Sequence, residues 1–175
     1  MKNSLIFSNL SVAMQRVQDA VNHGYTHHIS GRCPVDKIEQ AVTLFELNYQ
    51  ACIGRYQRFK RTQSGLGNVH LVLWFKGEEV CWLLLATAPE AGRHPIHSTD
   101  KLQNAFASGQ HIEIAGFELV RLPKKGTDHT KLTWRLTQAN FEWYRDNIVQ
   151  AVRSRSYMSL FGIKEPVIFG VMKPL

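Results

Sequence analysis

Apolar positions crowd most densely between Gly65 and Thr87, GLGNVHLVLWFKGEEVCWLLLAT. Two apolar runs, Val69–Phe75 and Val80–Ala86, flank the polar turn Lys76-Gly77-Glu78-Glu79. Each has the length of a buried strand and is rich in Val, Leu and Trp. Gly77 supplies the positive φ that a tight turn needs, so the stretch predicts a β-hairpin. Neither run alternates apolar with polar, as a strand with one wet face does. Both faces of the sheet are therefore expected to be covered here.

Around this hairpin the period changes. Across residues 9–23, Leu10, Ala13, Met14, Val17, Ala20 and Val21 form one helical stripe, and Gly24 stands where a helix stops. Tyr25 to Cys33 reads as a strand leading through Gly31 to Pro34. Asp36 with Glu39 three residues on is an Asp version of the capping box. It predicts a helix with Ile38, Val42, Phe45, Tyr49 and Cys52 on one face and Gly54 as its end. The run Arg55 to Arg61 alternates weakly and places an aromatic and at least two cations on either side. That predicts an edge strand or a basic loop rather than a core strand, with Gln63 to Gly67 as a flexible link into the hairpin.

Beyond Thr87 come Pro89, Gly92 and Pro95, with His94 and His97 among them. Ser98 or Thr99 is expected to cap a short helix through Ala107, with Leu102, Ala105 and Phe106 inward and Gly109 as its stop. Ile112–Leu122 and Lys131–Thr137 read as two antiparallel strands joined by the basic loop PKKGTDHT. Asn140 is expected to cap a final helix with Phe141, Tyr144, Ile148 and Val152 on one stripe. The tail from Tyr157 onward carries Phe161, Ile163, Val167, Ile168 and Phe169. It is too apolar to dangle, and is expected to pack on the body or meet a protein partner. No repeat or shift in composition marks a second domain. The expectation is one α+β domain over residues 1–175, a mostly antiparallel sheet with helices packed on it. A ferredoxin-like core is one way to arrange these elements.

Composition adds a partner class. The net charge is +7, which favours an acidic partner, and nucleic acid is the commonest one. The three cysteines, Cys33, Cys52 and Cys81, are scattered and form no CxxC pair, which fits a reduced, cytoplasmic setting. The first residues, MKNSLIFSNL, lack the apolar core of a signal peptide, and no run approaches membrane length, so no membrane partner is expected.

The charge is clustered. Arg55, Tyr56, Arg58, Phe59, Lys60 and Arg61 set cations for phosphates beside rings that stack on bases. Lys124, Lys125 and Lys131 form a second cluster, and Arg145, Arg153 and Arg155 a third. If all three meet on one face they make a footprint for DNA or RNA, and replacing Arg58 and Lys60 weakens binding to all sequences alike. Catalytic patterns are sparse. There is no GxGxxG, P-loop, HExxH or GxSxG, and no paired-carboxylate motif. No metal site or cofactor is expected, and a binder is favoured over an enzyme. Asn68-Val69-His70 is reminiscent of the metal-binding strand of HUH-type nucleases, with Tyr144 as the analogue of their nucleophile. Asn68, however, stands where the first histidine belongs. His70 and Tyr144 are thus the candidates for an alternative reading, a metal- or histidine-dependent nuclease.

Several stretches together resemble small basic proteins encoded on bacterial plasmids and integrative conjugative elements. They are GYTHHISGRCPVDKIEQ, NVHLVLWF, VCWLLLAT, GFELVRLPKKGTDHTKLTWRLT and SLFGIKEPVIFGV, and they cover most of residues 24–171. The resemblance implies a mobile-element context and a nucleic-acid role. It supplies no site residues.

Overall fold

The computed structural model describes residues 6–124, 126 and 129–153. In chain order these hold β1 (Ile6–Phe7), α1 (Leu10–Asn22), β2 (His27–Pro34), α2 (Ile38–Tyr49), α3 (Arg55–Gln63), β3 (Val69–Lys76) and β4 (Glu79–Ala86). There follow α4 (Ile96–Thr99), β5 (Gln103–Asn104), β6 (Glu113–Ile114), β7 (Phe117–Pro123), β8 (Thr130–Leu136) and α5 (Gln138–Arg153).

The predicted hairpin is the centre. β3 and β4 pair antiparallel from Val69–Ala86 to Lys76–Glu79, and Gly77 turns between them at φ +62°. They belong to a sheet of order β1-β3-β4-β2-β5, in which β2 is antiparallel to both β4 and β5 and β1 is parallel to β3. Within it, apart from α3 inserted between α2 and β3, β2-α2-β3-β4-α4-β5 runs in a β-α-β-β-α-β order, with its strands laid β3-β4-β2-β5 and α2 and α4 against one face. That is the ferredoxin-like arrangement, its second half shortened to a single helical turn and a two-residue strand. A second sheet, β6-β7-β8, is antiparallel throughout. The class is α+β.

Both faces of the first sheet are covered, as the unbroken apolar runs require. Val69, Leu71, Leu73, Val80, Leu84 and Ala86 face α2 and α4, where Ile38 and Ile96 are buried. Val72, Trp74, Cys81, Leu83 and Leu85 face α1 and the second sheet, meeting Val17, Val21, Ile112, Leu119 and Leu132. Each fully buried Leu or Val contributes about 1.5–3 kcal/mol over an exposed one. Gly31 has a packing reason: a Cβ there would lie 2.3 Å from the Trp82 ring, which crosses its position. The stripe of α1 is inward, Asn9 caps it through Ser11 N–H at 2.8 Å, and Gly24 follows its end at φ +90°.

Five local expectations are corrected. Asp36 does not cap α2; it sits in a 3-10 turn, and α2 starts without a side-chain cap. Gly54 does not end α2. Gln50 does, in the left-handed region, and Gly54 starts α3. The helix expected from a cap at Ser98 or Thr99 through Ala107 does not form. The helical turn Ile96–Thr99 precedes that stretch, and Gln103 and Asn104 pair instead with His28 and His27 in the sheet, where Asn104 Oδ1 accepts from Phe106 N–H. Leu102, Ala105 and Phe106 nevertheless turn inward. The run Ile112–Leu122 is two strands, bent at Ala115-Gly116, both at positive φ. Asn140 does not cap α5. Thr137 Oγ1 accepts from Asn140 N–H, while the Asn140 amide reaches back to Gly116 O at 3.0 Å.

Candidate functional site

Arg55 to Arg61, expected as an edge strand or basic loop, form the helix α3. The reason is local. Gly54 is extended, and its N–H is accepted by Gln57 Oε1 at 3.1 Å, which closes the first turn. The run holds Arg, Gln and Lys, all good helix formers, and no β-branched residue until Thr62. Helical geometry also sorts the side chains in a way that alternation does not. Arg58, Arg61 and Thr62 turn toward the body, while Arg55, Tyr56, Phe59 and Lys60 face outward.

The inward face is an anchor. Arg61 donates from Nε and Nη2 to Gly67 O at 3.2 and 3.0 Å, and from Nη1 to Gln50 Oε1 at 2.6 Å. Gly67 is held in turn by its N–H on Arg93 O at 2.9 Å, where the backbone passes so close to Gly92 that neither residue has room for a Cβ. Asn68, buried, donates from Nδ2 to Arg58 O and Thr62 Oγ1 at 3.2 and 2.9 Å. Its Oδ1 has no hydrogen-bond partner. A buried acceptor in that state costs about 1–3 kcal/mol until a donor reaches it.

Arg58 Nη1 lies 3.1 Å from His70 Nδ1. A guanidinium only donates, so Nδ1 accepts and the neutral ring carries its proton on Nε2. Burial and the charges of Arg58 and Arg16 push the His70 pKa down to about 4. The ring is thus neutral at pH 7, with a donor at Nε2. Tyr25 lies beside it, ring centroids 6.1 Å apart, and burial pushes its phenol up, so it too is a neutral donor.

These groups share a cleft of about 680 Å³ between the end of α1 and α3. Arg16, Asp19 and Tyr25 line it from the α1 side, Arg55, Arg58 and Phe59 from α3, and Asn68 and His70 from the entry into β3. Tyr56 and Phe59 are 67% and 58% exposed, and Lys60 Nζ stands 4.8 Å from the Tyr56 ring centroid. Among the described residues, ion pairs join Arg32 to Glu79, Arg135 to Glu118 and Arg145 to Asp146, and none involves Arg16 or a cation of α3.

The other expected clusters lie elsewhere. Lys131 is exposed on β8, and Lys124 follows β7. Arg145 on α5 pairs with Asp146 at 3.1 Å, and Arg153 is the last residue of that helix. Lys125, Arg155 and the tail from Tyr157 lie outside the described residues. Tyr144 is on α5, edge-on to Trp143 at 4.9 Å, and does not line the cleft that holds His70. His94 and His97 are bound into the fold, Nε2 of each within hydrogen-bond distance of a backbone carbonyl, Tyr49 O at 3.1 Å and Thr87 O at 2.9 Å. Burial raises all three thiols, Cys52 to about 11. Among the described residues no three His, Cys, Asp or Glu side chains are grouped to hold a metal, and no helix is long and apolar enough to cross a membrane.

Arg16, Tyr25 and Asn68 were not marked as site residues by the sequence. Arg16 had one readable sign: with Asp19 and His23 it forms a polar row along the flank of the α1 stripe. No family model matches the chain, nor does any curated protein or solved structure.

Proposed function

We propose that this chain is a nucleic-acid-binding protein of the mobile-element type that its sequence resembles. It contacts phosphates through α3 and stacks bases on Tyr56 and Phe59. One observation carries the reading: α3 presents two exposed rings beside Arg55 and Lys60, and among the described residues no carboxylate pairs with either cation. Exposed rings interleaved with unpaired cations are the combination that single strands reward, because every base has a face to stack and every linkage a charge. Arg61 serves chiefly to hold α3 in place, so Arg55 and Lys60 are the cleaner residues to test.

The test is anisotropy of a fluorescent oligonucleotide across a salt series. Affinity is expected to fall steeply as salt rises. Replacing Arg55 and Lys60 together by Ala weakens binding for unrelated sequences alike and flattens the slope of log K against log salt by about 1.4, near 0.7 per lost single-strand phosphate contact. Binding that ignores salt, or no binding at all, overturns the reading.

A further inference from the structure

The nucleic-acid reading leaves open which form of nucleic acid is bound, and the cleft beside α3 bears on that. Its rim carries Arg16 and Arg55, and deeper in it lie Arg58, His70 and Asn68. At about 680 Å³ it has the size of a small-molecule site, which spans roughly 300–1,000 Å³. Its chemistry is mixed in a particular way. Arg16 and Arg58 offer guanidinium donors, four of the five on Arg58 remaining after the bond to His70. His70 adds a neutral N–H. Against these donors stand acceptors, among them the Asp19 carboxylate on the α1 wall and, beneath the cleft surface, Asn68 Oδ1, unpartnered in a residue only 3% exposed. A simple anion site has no use for a buried acceptor, and a purely apolar pocket has no use for three arginines. A nucleotide uses both, since its phosphate accepts and its base edge donates. Phe59 at the mouth gives the base a ring to lie on.

We propose that this cleft takes one unpaired nucleotide of a single strand, its phosphate on the arginines and its base edge reaching toward Asn68. The inference rests on the nucleic-acid reading above and narrows it. A paired base is stacked and has its donors occupied by its complement, so a duplex offers the cleft only phosphates. A single strand offers a free base as well. Burial, and after it the charges of Arg58 and Arg16, hold the His70 ring neutral; the arriving phosphate offsets those two charges, while Asp19 and Tyr25 face the same space from α1. His70 is therefore the natural reporter of occupancy.

The experiment measures anisotropy at low salt with four fluorescent 12-mers of one sequence: a deoxy strand, its duplex, a ribo strand and its duplex. Either strand is expected to bind at least about tenfold tighter than its own duplex. Arg16→Ala, an exposed change on α1, is expected to weaken strand binding several-fold and duplex binding by less, since the duplex brings only its phosphates to the cleft. Proton NMR of the His70 ring is expected to show its pKa rising when the strand is added. Equal affinity for strand and duplex in both the deoxy and ribo arms, or a His70 titration unmoved by a bound strand, overturns the cleft proposal and leaves the broader reading standing. No binding in any of the four arms overturns both.

Discussion

At the scale of single residues, His70 carries a measurable signature. Its pKa in the folded chain is about 4 against an ordinary 6.5, because burial disfavours the imidazolium and Arg58 and Arg16 repel it. The neutral form is therefore what the fold stabilises. Above pH 6.5 that contribution is complete. As pH falls from 6.5 toward 4, the unfolded chain takes up a proton that the folded chain refuses, and stability is lost over that interval. Below about 4 both states are protonated and this residue adds no further slope. The ceiling is on the order of 3 kcal/mol for a shift of this size. His28 and His94 are also pushed down by burial and act in the same direction. Urea unfolding between pH 7 and pH 4 is expected to show the loss. His70→Asn, which keeps a polar group near Arg58 but does not titrate, is expected to make the curve flatter. An unchanged pH dependence in that variant would show that His70 is not its source.

At the scale of elements, the turns separate what the sequence could reveal from what it could not. The β3–β4 hairpin was readable because three signals agreed: two apolar runs of strand length, a polar gap between them, and a Gly where positive φ is needed. The β6–β7 turn was not, because Ala115 occupies a left-handed position at φ +50° and hides the break inside one apolar run. With Gly116 at +81° beside it, the pair has the φ values of a type I′ turn, which favours Asn at the first central position. Ala115→Asn is expected to stabilise the protein by about 0.5–1 kcal/mol, read as a raised urea midpoint with unchanged slope. Gly116 leaves no such freedom, since a Cβ there meets the Asn140 side chain that ties the turn to α5. Helix α3 was misread for a related reason. In seven residues with four cations and two rings, alternation and helical spacing count almost equally, and the deciding signals were Gly54 and Gln57 at its start. The stripe of α5 was readable as a stripe but not as exposed. Phe141, Ile148 and Val152 are 52%, 49% and 64% accessible among the described residues, and only Ala151 is buried on that helix. The candidate site divides the same way. Its α3 residues announced themselves by composition, whereas Arg16, Tyr25 and Asn68 join them through sheet register and the docking of α1, which no local window contains.

At the scale of the whole molecule, the question is how cations outside the cleft take part. The net charge of +7 sets up a field that draws a polyanion in from any side, but it is screened over about 10 Å at 0.1 M salt. Charges that touch the ligand slow its departure, whereas charges that only contribute to the field speed its arrival. Arg55, Arg58 and Arg16 line the cleft and belong to the first kind in the reading proposed above. Arg145, paired with Asp146, and Arg153 at the end of α5 do not line it. Each change of Arg to Glu lowers the net charge by two, so Arg145→Glu with Arg153→Glu takes the chain from +7 to +3 without altering the cleft. Stopped-flow mixing with a fluorescent strand is expected to show association slowed roughly five- to tenfold at low salt and dissociation unchanged within twofold. The difference in association should fade as salt rises toward molar levels, where the Debye length shrinks to about 3 Å. If dissociation instead quickens, the α5 cations touch the strand itself. The interface then runs beyond α3 toward the C-terminal helix, as the clustering of charge along the sequence first led one to expect.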